Sequence, residues 1–70
     1  MKITLWSTNC PKCNVIKKKL EQKGIKFDLV EDTDKVLEFG KLNKVMSAPI
    51  LVIDDQIMDF KAANDWINRQ

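Results

Sequence analysis

The 70-residue chain has no histidine and only two cysteines, Cys10 and Cys13. Closing a structural zinc site takes four cysteine or histidine ligands, so an intramolecular site of that kind is all but excluded. No apolar run approaches the roughly 18 residues a membrane span needs, and none stands at the N-terminus as the core of a signal peptide. No membrane partner is therefore expected, and the expected location is cytoplasmic. Low-complexity tracts and internal repeats are absent as well. Aromatic residues make up 7% of the chain and do not interleave with the lysines, which argues against a nucleic-acid surface.

What remains is the composition of a small globular domain, 44% hydrophobic and 31% charged. A chain of this size buries only about 60% of the surface its unfolded form exposes, so residues 1–70 are read as one marginally stable domain and a monomer. The net charge of +2 is unevenly spread. Residues 1–26 hold seven lysines against Glu21 alone, whereas residues 27–70 hold nine acidic side chains against five basic ones. Both cysteines lie in the basic part. The Lys17-Lys18-Lys19 run is most simply the solvated face of an amphipathic helix.

Periodicity places the elements. "KITLW" (2–6) reads as a buried strand. A helix begins at Pro11, a residue favoured in a first turn, and ends before Gly24, a natural C-terminal cap. Cys13, Ile16 and Leu20 form its apolar stripe. "IKFDLV" (25–30) alternates like a half-buried strand, and "EDTD" supplies caps for a second helix ending near residue 43, weakened by Gly40. "PILVI" (49–53) is a fully buried strand, Asp54-Asp55-Gln56 a turn, "QIMDF" a short strand, and 60–69 a last helix. The order β-α-β-α-β-β-α predicts an α/β fold. It has one four-stranded mixed sheet flanked by helices, a parallel first pair and a final antiparallel hairpin.

On this reading Cys10 is the N-cap of the first helix and Cys13 lies one turn inside it. Residues three apart on a helix are about 5–6 Å from one another, within the range that a disulfide bridges. Cys10 sits at the tip and Cys13 in the buried stripe. Free N–H groups of the first turn, the helix dipole and the cation of Lys12 all favour a thiolate at Cys10. Cys10 is thus expected to attack and Cys13 to resolve. A loop this short constrains the unfolded chain little, so a purely structural staple is disfavoured, and so is one in a reducing compartment. Metal handling stays open as the alternative.

A second marker is Ser47-Ala48-Pro49, directly before the buried run "ILVI". Taken alone, it reads as a trans proline at a strand start, since only about 5–6% of X–Pro bonds in folded proteins are cis.

Taken together, a strand, then Cys-Pro-Lys-Cys opening a helix, then a small residue before a proline at a strand start, resembles the thioredoxin superfamily. The branch is that of glutaredoxin and the glutaredoxin-like redoxins that reduce ribonucleotide reductase. The resemblance covers nearly the whole chain. It implies the thioredoxin fold, a cis Pro49 facing Cys10 and Cys13, and a substrate laid in extended form along Ala48, with Ser47 beside it. It also implies dithiol–disulfide exchange on protein disulfides, with Pro11 and Lys12 modulating the pair and no cofactor beyond the redox-active disulfide.

Departures limit that resemblance. Glutathione-binding glutaredoxins carry a lysine shortly before the first cysteine, where Ser7 and Thr8 stand here. They also carry Gly-Gly before the last helix, where this chain has Met58-Asp59. Asp59 offers a contact to the α-amino group of glutathione, but the space left by two glycines is absent. A thioredoxin-reductase-like flavoprotein is therefore favoured over glutathione as electron donor. The rival reading is a copper-handling module that binds metal through the cysteine pair. Such domains carry methionine where Thr8 stands and run β-α-β-β-α-β, ending in a strand. A third is an interaction module on the same fold with vestigial cysteines.

Overall fold

The computed structural model describes residues 2–45 and 48–70. Its elements are β1 (Ile3–Trp6), α1 (Pro11–Gln22), β2 (Asp28–Val30), α2 (Thr33–Leu42), β3 (Ile50–Ile53), β4 (Gln56–Met58) and α3 (Phe60–Asn68). The sheet order is β2-β1-β3-β4. β1 runs parallel to β2 and antiparallel to β3, and β3 and β4 form the hairpin. This is the mixed four-stranded α/β fold expected from the sequence. Its last element is a helix, unlike the strand that ends a copper-chaperone-like domain. Among the described residues no helix is long and apolar enough to cross a membrane.

The apolar core lies on the face of the sheet that α1 and α3 cover. Ile3 and Leu5 from β1, Leu51 and Ile53 from β3, Ile16 and Leu20 from α1, and Ala63 and Ile67 from α3 pack there as one cluster. Burying each of the large aliphatic side chains contributes about 1.5–3 kcal/mol, a large share of what a domain this small has available. Helix α1 ends in a Schellman arrangement. Gly24 adopts φ +69°, its N–H reaches the Glu21 carbonyl, and the Ile25 N–H reaches that of Leu20.

That cap shortens the next strand. Ile25 is tied to α1, and Ile25 and Phe27 turn towards the core, so only residues 28–30 pair with β1 rather than the expected 25–30. The last strand is shorter as well. It stops at Met58 rather than Phe60, because Asp59 leaves the ladder to cap α3 through its side chain.

Helix α2 covers the opposite face, where β1 presents Trp6. The Trp6 and Phe39 rings stack with centroids 4.1 Å apart and planes 2° from parallel. Gly40, expected to weaken α2, is required by packing. A Cβ there would lie 2.6 Å from the Val45 carbonyl oxygen and 3.3 Å from Ile50 Cδ1. Two effects oppose one another in Gly40→Ala: helix propensity gains about 1 kcal/mol, and overpacking costs about 1–3 kcal/mol. The clash is with backbone, which cannot step aside, so the variant should be less stable. A lower urea midpoint is expected, and a raised one would show that propensity outweighs packing.

Candidate active site

The site is built where β1 ends. Ser7 extends the parallel pairing by donating its N–H to Val30 O at 2.8 Å, which carries its side chain into the interior, 2% exposed. The chain then turns sharply. Asn9 adopts φ +61°, and its N–H donates to Ser7 Oγ at 3.1 Å. The turn delivers Cys10 in an extended conformation (φ −79°, ψ 163°) as the N-cap of α1, with Pro11 in the first helical position. Pro11 has no N–H to satisfy, so the first turn loses nothing by its presence.

The cap is sulfur. The Cys13 N–H donates to Cys10 Sγ at 3.2 Å, and the Asn14 N–H to the Cys10 carbonyl at 3.0 Å. Both cysteines are free thiols, Cys10 partly exposed and Cys13 fully buried. Only Cys10 is open to an incoming group. On its other side, Cys10 Sγ donates to the Ala48 carbonyl at 3.8 Å, and the Ala48–Pro49 peptide is cis, with Pro49 buried. The cysteine pair and the proline corner, 38 residues apart in the chain, thus meet at one sulfur.

Burial pushes the Cys13 thiol up, yet hydrogen bonds outweigh it. The Cys10 side chain, the Thr8 main chain, the Ser7 hydroxyl and the Cys10 main chain together hold Cys13 below its ordinary value. Thr8 Oγ1 also lies 3.9 Å from Cys13 Sγ.

The other residues singled out in the sequence fall in different places. Lys12 is exposed, with Nζ 5.4 Å from the centre of the Phe60 ring, a contact that ties the cysteine turn to the start of α3. Asp59 caps that helix, accepting the Ala62 N–H at 2.9 Å. Met58 packs against the core. Phe60, directly after the Met58-Asp59 corner, is the residue that meets Lys12. Ser47 lies outside the described residues. Ser7, Thr8, Asn9 and Phe60 were not marked as site residues by sequence reasoning. Ser7 and Thr8 stood out only as missing lysines, and nothing in a linear reading joins Phe60 to Lys12.

The lowered thiol has a consequence for stability. Cys13 binds its proton less tightly in the folded chain than in the unfolded one, so stability rises with pH between the two values. The contribution is fully present above the ordinary value of 9.0 and is lost as pH falls through the lowered one. In urea titrations of reduced protein, the margin of wild type over Cys13→Ser should widen as pH rises towards the ordinary value of 9.0. A flat or narrowing margin would contradict it.

Residues 1–59 match the family model of the thioredoxin domain. The fold is similar to that of a solved structure described as the glutaredoxin-like protein NrdH-redoxin from Escherichia coli, which has a thioredoxin-like activity profile. The TM-score is 0.73 at 25% identity, over 99% of this chain and 93% of that one. A comparison with curated proteins found no match. Family match, element order, paired cysteines and cis proline agree: the chain belongs to the thioredoxin domain family.

Proposed function

We propose that this chain is a dithiol–disulfide oxidoreductase that reduces protein disulfides through Cys10 and Cys13. The observation that carries the reading is the sulfur N-cap. It leaves one cysteine accessible beside Ala48–Pro49 and holds the other buried one turn away. Cys10 attacks a disulfide sulfur of the client, and the client's other sulfur leaves and takes a proton. Cys13 then attacks Cys10 Sγ, the second client sulfur departs, and the Cys10–Cys13 bond closes. Two electrons have passed to the client. The main chain at Ala48 takes the client in extended form.

The donor that reopens the pair is a thioredoxin-reductase-like flavoprotein rather than glutathione. Met58 packs against the core, Asp59 Oδ1 accepts the Ala62 N–H as the α3 cap, and the two glycines that would leave room for a tripeptide are absent here. The thioredoxin-like activity profile of the similar redoxin points the same way. A reductase such as ribonucleotide reductase is the kind of client implied. Residues 1–70 act as one monomeric domain in the cytoplasm, with no bound cofactor.

Reduced Cys13→Ser, challenged with a disulfide-bonded client such as insulin, should accumulate a mixed disulfide, seen as a discrete adduct by mass. Cys10→Ser should be inert, and turnover by Cys10→Ser would overturn the assignment. For the donor, oxidised protein is offered either NADPH with thioredoxin reductase or glutathione with its reductase. Faster recovery of thiols is expected in the first, and efficient turnover with glutathione would reverse that choice.

A further inference from the structure

We infer that Thr8 and Ser7 are positioning residues for the resolving step, their hydroxyls standing in for water around the Cys13 sulfur. The inference rests on the dithiol reading above and concerns its second half.

Cys13 must become an anion to attack, yet it is fully buried, so no shell of bulk water surrounds the charge. A buried charge needs fixed donors in place of hydration. Thr8 Oγ1 lies within hydrogen-bonding reach of Cys13 Sγ, at 3.9 Å, and a hydroxyl rotates to donate once the sulfur is ionised. Ser7 is the one buried polar side chain among the described residues. Its oxygen accepts the Asn9 N–H, and its own hydrogen remains available to be donated. The left-handed Asn9 directs that N–H backwards, so the tight turn before the cysteines also orients the serine. The Ser7 hydroxyl is among the groups that hold the Cys13 thiol below its ordinary value.

In the resolving step the Cys13 proton leaves to solvent. The sulfur's electron pair then forms the bond to Cys10 Sγ, the bond from Cys10 to the client breaks, and the departing sulfur takes the pair and a proton. Nothing else is oxidised or reduced. The two hydroxyls act only on the anion that precedes the attack.

The test is stopped-flow reaction of the reduced protein with the chromogenic disulfide dithiobis-nitrobenzoate. Attack by Cys10 releases one thionitrobenzoate, and resolution by Cys13 releases a second. Thr8→Val keeps the shape and removes the hydroxyl. Its second phase should slow about tenfold near neutral pH and recover at alkaline pH, which corresponds to a rise of about one unit in the titration of the attacking thiol. The first phase should be unchanged, and Thr8→Ser should restore the second. Ser7→Ala should act in the same direction, and Thr8→Ala gives the same reading if valine unfolds the chain. A second phase with wild-type rate and pH profile in Thr8→Val and Ser7→Ala overturns this inference alone. A wild type that releases only one equivalent, or a Cys13→Ser variant that releases two, overturns the dithiol reading itself.

Discussion

The hydrogen bond from the Cys13 N–H to Cys10 Sγ organises the rest of the molecule. It makes a sulfur the N-cap of α1, where a serine or aspartate oxygen usually sits. Residues at the cap and the third helical position lie about 5–6 Å apart, within the range that a disulfide bridges. Pro11 between them costs no hydrogen bond, and the stripe of Cys13, Ile16 and Leu20 anchors the helix in the core. An acceptor of helix N–H groups is also a sulfur in a locally positive field. One contact therefore serves folding and chemistry together.

The second half of the site comes from the opposite face. Helix α2 presses Gly40 against Val45 and Ile50, and Phe39 stacks on Trp6, directly before the turn that carries the cysteines. Because Trp6 also pairs with Ile50 across the sheet, β1 and β3 end side by side, and the Ala48 carbonyl reaches Cys10. The two segments meet because antiparallel pairing aligns the end of one strand with the start of the other. Their separation in sequence is absorbed by α1, β2, α2 and the connections between them.

Much of this was legible in the sequence because each signal was local. Pro11 and Gly24 mark the ends of α1, and the Cys13-Ile16-Leu20 stripe its buried side. The chain order of strands and helices specifies the topology. The places of the cysteines, Cys10 at the tip and Cys13 in the buried stripe, followed from position on a helix, and the cis Pro49 from the family resemblance. The differences arose where an element's end was decided by tertiary packing. Ile25 was claimed by the cap of α1 and Phe27 by the core, which cut β2 to 28–30. Asp59 was claimed by α3, which ended β4 at Met58. Gly40 looked like a weak helix residue because close approach to Val45 leaves no trace in periodicity. The surroundings of Cys13 were hidden for the same reason. Ser7 and Thr8 stand in a turn that includes one left-handed residue, Asn9.

The central claim is that Cys10 and Cys13 form one two-electron switch. Equilibration in dithiothreitol redox buffers, acid quenching, alkylation and intact mass measurement test it most directly. The expected result is one reversible transition in which both thiols disappear together within a monomer, with the loss of two hydrogens. Separate titration of the two thiols, or oxidation that proceeds only through a cross-linked dimer, would contradict it.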